Sequence, residues 1–305
     1  RKYDSVVQVN TQRRSWPIYG KVKKEFIESG RLGKIGLVET YCFIGMGRGG
    51  SSEAAPVPGH MDYDAWTGPA PMLPFKRRKE SRGWRRYQAY GNGIVGDMAV
   101  HQVDVARWMM GLGWPTKISS TGGIRFPEDS DATTTDHQHC VFEYPDLTMT
   151  WEHRTWGTPL RKSNHWSDNW GVRFIGTAGT VDVTQLHYTF TPTGSGEVET
   201  HHVLSPDGDP ANADFRKDYL PQDAAEDQHA HDFMAARASR GRPVADIEEG
   251  HISSASCQLA NVALELGRPV RYDPVTRTVP GDPEATKLLA RNYREGYEHP
   301  DPTKV

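Results

Sequence analysis

Three ionisable residues sit in an otherwise apolar stretch between Gly91 and Gly113, where Ile94, Val95, Met98, Val103, Val105 and Met109 leave little room for charge. Asp97, His101 and Asp104 stand at i, i+4 and i+7, which places them on one face of a helix. A charge inside such a helix is costly unless it is paired or used. A carboxylate one turn from an imidazole can fix its tautomer and raise its pKa, which suits a general acid or base. The same residues also admit structural roles. Asp97 follows Gly96 and could cap the helix. His101 could be a satisfied core histidine, and Asp104 could pair with Arg107. Buried ion pairs shift pKa values without doing catalysis.

The helix that carries these groups is expected from Asp97 to Met110. Gly91, Gly93 and Gly96 allow unusual backbone before it, and Gly111 and Gly113 end it. Upstream, Val6–Val9 reads as a short buried parallel strand. Thr11, Gln12 and Arg13 would lie at its C-terminal end, where ligands sit in open α/β sheets. Residues 18–29 form an amphipathic helical pattern stopped by Gly30 and Gly33, and residues 35–44 alternate as a strand. Gly45–Gly50 imitates a phosphate loop, but Pro56, Pro58 and Gly59 prevent a helix from opening after it, so that role is rejected.

Residues 45–90 have little regular pattern and are read as wall and lid of a cleft, carrying Trp66, Trp84 and Tyr90. The basic run Lys76–Arg86 is either a phosphate contact or a solvated loop. From residue 116 strand signals recur at 116–122, 137–144, 148–154, 171–175, 179–183 and 187–191, with a hairpin turn over Gly176–Gly179. Short turns between successive strands imply an antiparallel sheet with helices on one face. His153, Trp156, His165, Trp166 and Trp170 gather near an irregular stretch and either border a substrate pocket or pack an interface. His137, His139, His201 and His202 offer only a weak metal site, so none is assigned. Two later helices are expected at 225–239, with His229, Phe233 and Met234 inward, and at 248–266, capped by Gly267.

The chain has 305 residues and a net charge of −3, with no basic stripe, which argues against a nucleic-acid partner. Its three cysteines have no pairing pattern, and no apolar run is long enough to span a membrane. Nine Trp and twelve Tyr suit either ring-binding clefts or cores. The first residues look like neither a signal peptide nor a natural start, so further chain, about 150 residues or one domain, is expected before Arg1. The compartment is left open.

The stretch G-N-G-x-x-G-D-x-x-x-H-x-x-D at Gly91–Asp104 resembles a signature of the Gfo/Idh/MocA family of oxidoreductases. Trp84-Arg85, Asp64–Pro71, Val6–Ser15, Asp246–His251 and Leu266–Pro274 are similar to further segments of that family. The resemblance implies an α/β (α+β) fold: a large, mostly antiparallel mixed open sheet with helices on one face, preceded by the last strand of a Rossmann domain. It divides the chain into a Rossmann remnant (1–17), a substrate and oligomerisation domain (18–275) and a tail (276–305). It implies an NAD- or NADP-dependent oxidoreductase of a sugar, polyol or sugar derivative, with most of the cofactor site upstream and the isolated chain inactive. His101 would act as base and Asp97 would orient it. Gln12, Trp84 and Arg85 would touch cofactor; Arg13, Trp66, Tyr90, His153 and His165 would touch substrate. The open sheet would form a homo-oligomer. Two other readings remain: glycoside cleavage or elimination through transient oxidation, and a non-catalytic sugar-binding module.

Overall fold

The computed structural model describes residues 3–44, 53–76, 83–126, 130–158, 160, 166–203 and 221–301, without the side chains of 221–225. The Gly45–Gly50 loop and His165 lie outside them. Helix α1 (Pro17–Val22) opens on a proline, whose fixed φ suits the first helical turn. It widens into a π turn over Lys23–Glu28 and stops where Gly30 takes a φ of +74°. Strand β1 (Ile35–Cys42) follows, then the short helix α2 (Tyr63–Thr67), N-capped by Asp62. Helix α3 (Val100–Met110) is preceded by a π turn over Val95–Ala99 and closed by Gly111 in the left-handed region.

Seven more strands come next: β2 (Lys117–Gly123), β3 (His137–Glu143), β4 (Thr148–Arg154), β5 (Trp170–Gly176), β6 (Gly179–Val183), β7 (His187–Pro192) and β8 (Glu199–His202). Helices α4 (Pro221–Ser239), α5 (Ile247–Leu266) and α6 (Pro283–Lys287) complete the order.

Among the described residues the strands make one eight-stranded sheet in the order β2-β3-β4-β1-β5-β6-β7-β8. All neighbours run antiparallel except β1 and β4. A parallel pair needs a long crossover, and α3 lies in the segment between these two strands. The two-residue period sets the faces. Val38, Thr40 and Cys42 share one face with Met149, Trp151 and His153 of β4 and Phe174, Val172 and Trp170 of β5. These residues are buried, and α3 and α5 cover that face. On the opposite face Arg173 bonds Glu39 and Asp182. No helix among the described residues is long and apolar enough to cross a membrane.

Two expectations are corrected. Val6–Val9 forms no strand: it makes one antiparallel bridge, Gln8 to Asp246, because no described strand runs beside it to complete a ladder. Met234 does not face inward; it is 53% exposed, while Ala236 of the same helix is buried. The tail after residue 276 folds back, with Ala285 buried and Leu288 and Leu289 packed on the core.

A buried ionic network ties the fold together. Asp104, fully buried in α3, accepts from Arg14 Nε and Nη2 at 2.7 and 2.8 Å and from Ser253 Oγ of α5 at 2.7 Å. Its partner is therefore Arg14 rather than Arg107. Arg107 instead reaches Ser253 Oγ, Glu249 and the carbonyls of Leu112 and Gly113. Breaking such a buried pair strands a charge away from water. Asp104→Ala is expected to cost about 3 kcal/mol or more, read from the urea midpoint; a loss below about 1 kcal/mol, the ceiling for exposed pairs, would show the network to be dispensable.

Candidate functional site

The turn Gln12–Ser15 is a short 3-10 helix, so successive side chains leave it about 120° apart. Arg14 points to Asp104, while Arg13 lies over the ring of Trp170, 3.7 Å from its centroid. Arg13 Nη1 donates to Tyr19 Oη at 2.6 Å. The turn is held from the far side by His229 of α4. Its Nε2–H donates to Val9 O at 3.0 Å and its Nδ1 accepts from Ser15 Oγ at 2.8 Å.

His101 meets the other side of this group. Its ring stands edge-on to Trp170, 5.5 Å between centroids at 83°. Burial, and after it the charge of Arg13, lower its pKa from 6.5 to about 3. The imidazole is therefore neutral at physiological pH. Its Nδ1 is buried without a hydrogen-bond partner, although the residue as a whole is only partly buried. Thr11 Oγ1, Gln12 Oε1, Arg13 Nη2 and Trp16 Nε1 are likewise buried without a partner among the described residues. Buried polar groups are nearly always satisfied, so the unpartnered atoms of this turn and of His101 are candidates to meet a further group.

Asp97 does not complete the expected pair. It lies in the π turn, where the backbone bonds span five residues and a four-residue spacing no longer stacks two side chains. Its carboxylate makes a close charge contact with Arg85 Nε at 2.8 Å, without hydrogen-bond alignment. The pKa of His101 accordingly moves down rather than up. The π turn depends on glycine: a Cβ on Gly96 would lie 2.3 Å from Asn92 Cβ and 3.0 Å from Gln258 Nε2 of α5.

Two residues expected at the substrate are buried in this structure. Arg13 is 1% exposed and sealed between Tyr19, Trp16 and Trp170, so it bears on the site through its charge on His101. His153 is fully buried on the sheet's covered face. There Trp151 Nε1 donates to its Nδ1 at 3.1 Å and Thr135 Oγ1 lies 3.5 Å from its Nε2. It is a satisfied core histidine. Gln12 opens the turn that carries Arg13; Trp66, Trp84 and Tyr90 line a separate cavity of about 380 Å³. Arg85 stacks over Trp84 at 4.6 Å while it meets Asp97.

The sequence reading missed Arg14 as the anchor of the turn. It also missed Arg291 and Tyr293, which reach the cavity from the tail. Adjacent Arg13-Arg14 beside a predicted ligand edge was the available signal for the first; nothing local marked the second. Among the described residues no group of three or more His, Cys, Asp or Glu could hold a metal ion.

The model of the GFO/IDH/MocA C-terminal domain matches residues 56–182. No curated protein matches the chain. Solved structures similar in fold include a levoglucosan dehydrogenase in complex with NADH and levoglucosan (15% identity, TM-score 0.58, 88% of this chain). Another is an inositol dehydrogenase homolog from Azotobacter vinelandii with NADH and myo-inositol (14%, 0.58, 89%). A third is a super-repressor mutant of Gal80p from Saccharomyces cerevisiae (11%, 0.59, 94%). This chain spans 66%, 65% and 66% of the length of those three.

The neutral burial of His153 has a consequence for acid stability. Its pKa is lowered from 6.5 to about 3, chiefly by burial. As pH falls below about 6.5 the unfolded chain takes up that proton while the folded one does not. The stabilisation is complete above pH 6.5 and drains away toward 3. His153→Gln should therefore flatten the fall of thermal midpoint between pH 6.5 and 4; an unchanged slope would show that His153 is not held neutral.

Proposed function

We propose, on the premise that residues 56–182 are a GFO/IDH/MocA C-terminal domain, that this chain is the substrate-handling part of an oxidoreductase acting on a CH–OH group of a sugar or polyol. The observation that carries this reading is the neutral His101, its Nδ1 buried without a partner, edge-on to Trp170 and within the field of Arg13. Oxidation of a secondary alcohol needs a group that accepts the hydroxyl proton as the carbon gives up its hydride. A proton already on His101 would block that, and burial together with the Arg13 charge keeps it off. An imidazole with a pKa near 3 is a weak base. It suffices here, since a hydroxyl on a carbon losing hydride becomes strongly acidic.

NAD or NADP would supply the hydride acceptor when bound. The residues present fit an edge of such a group: Gln12 offers an unpartnered buried amide oxygen, and Arg85 with Trp84 offers a cation beside a flat ring. The rest of the holding surface would come from a dinucleotide-binding domain, which this chain does not contain as a described unit. Asp97 faces Arg85 rather than the base. The remaining work of the chain is positioning. Trp170 supports both Arg13 and His101, and Arg14 with His229 fixes the turn that presents Gln12.

A second reading is a non-catalytic sugar-binding module; a structure similar in fold is named as a super-repressor, not as an oxidoreductase. Turnover separates the two. In a protein carrying both parts, His101→Ala should lower kcat for sugar oxidation by about 10²–10⁴ with KM little changed. The wild-type profile should show no acid limb near pH 6.5. Turnover untouched by His101→Ala would contradict the assignment and favour the module.

A further inference from the structure

The cavity lined by Trp66, Trp84, Tyr90, Arg291 and Tyr293 is assembled from three distant segments. The Asp62–Pro71 loop supplies Trp66, the 83–91 turn supplies Trp84 and Tyr90, and the tail supplies Arg291 and Tyr293. The tail is fastened deliberately. Arg294 pairs with Asp64 Oδ1 at 2.9 Å and donates to Gly68 O at 2.6 Å, while its backbone N–H donates to Pro69 O at 3.0 Å. Trp66 is set by Tyr63, stacked at 5.6 Å and 16°, and by Tyr90, edge-on at 5.1 Å and 70°. Despite this support it is 46% exposed. The indole is thus held in one orientation with nearly half its surface open, a ready platform for a flat ring.

Arg291 adds charge. Both of its hydrogen bonds leave from Nη2, to Gly91 O at 2.7 Å and to Asn92 Oδ1 at 2.5 Å. Both acceptors are neutral, and no carboxylate pairs with it among the described residues. Arg294, three residues on, has Asp64; Arg85 has Asp97; Arg14 has Asp104. Partial burial lowers the Arg291 pKa without any opposing carboxylate. Nε and Nη1, on opposite edges of the guanidinium, each keep an N–H that can reach one oxygen of an anion.

We propose that this cavity binds a sugar ring bearing a carboxylate, a uronate-type ligand, with the ring against Trp66 and Trp84 and the carboxylate on Arg291. A volume of about 380 Å³ lies at the lower end of small-molecule sites and suits one ring. The inference stands on the cavity itself and does not require the oxidoreductase reading. An isolated phosphate would use the cation but leave the aromatic walls bare, and a neutral hexose would use the walls but leave the cation unmatched.

Isothermal titration of the chain with D-glucuronate, D-glucose and inorganic phosphate tests this without any turnover. D-glucuronate should bind saturably and at least about tenfold more tightly than either of the others, since a hydrogen-bonded charge is worth about that much. Arg291→Gln should bring D-glucuronate and D-glucose within about twofold of each other, while Arg291→Lys keeps part of the preference. Trp66→Ala, at a position 46% exposed, should weaken both sugars. No saturable D-glucuronate binding, equal affinity for D-glucose, or phosphate binding as tight as D-glucuronate would each overturn the proposal.

Discussion

A carboxylate with no access to water has to be met by cations in fixed positions, and Asp104 imposes that demand on three elements at once. Arg14 from the N-terminal turn and Ser253 from α5 both converge on its two oxygens, and Arg107 and Glu249 extend the network. Because burying an ion pair costs several kcal/mol per ion before attraction returns it, the arrangement persists only where geometry is near ideal. The consequence is directional. With Arg14 pinned, Arg13 can only leave the 3-10 turn toward Trp170, and so toward His101. The anchor is structural, and the chemistry that it positions lies one residue away.

The electrostatics of the neighbouring group follow from that placement. A cation beside an imidazole, both largely out of water, disfavours a second positive charge. His101 is thus neutral for a reason that lies in the packing, not in a carboxylate partner. Asp97 is spent on Arg85, whose guanidinium stacks over Trp84 of the aromatic cavity.

Much of the architecture was legible before any coordinates. Alternation in 137–143 and 148–154 gave strands because side chains of a half-buried sheet must alternate, and Gly111 and Gly267 marked helix ends because each takes a left-handed φ, +65° and +64°. His101 stood out as an ionisable group in an apolar helix. Its partner was misread because helical spacing assumes an α-helix, and the π turn over Val95–Ala99 breaks that assumption. Val6–Val9 has strand composition, but a strand exists only with a neighbour to pair it. His153 was indistinguishable by sequence from a pocket residue, since burial on the covered face is set by the register of β4 with β1. The tail residues at the cavity are more than 190 positions from Trp84, and no local pattern encodes that contact.

The central claim is that a neutral His101 meets the reacting hydroxyl. A crystal structure of a protein containing this chain and its dinucleotide-binding domain, with reduced cofactor and a polyol bound, tests it most directly. The account predicts a ligand hydroxyl within about 2.6–3.2 Å of an imidazole nitrogen of His101, with some of the unpartnered Thr11–Trp16 atoms now engaged. A polyol seated elsewhere, with the His101 ring still touching only Trp170 and its Nδ1 still bare, would contradict it.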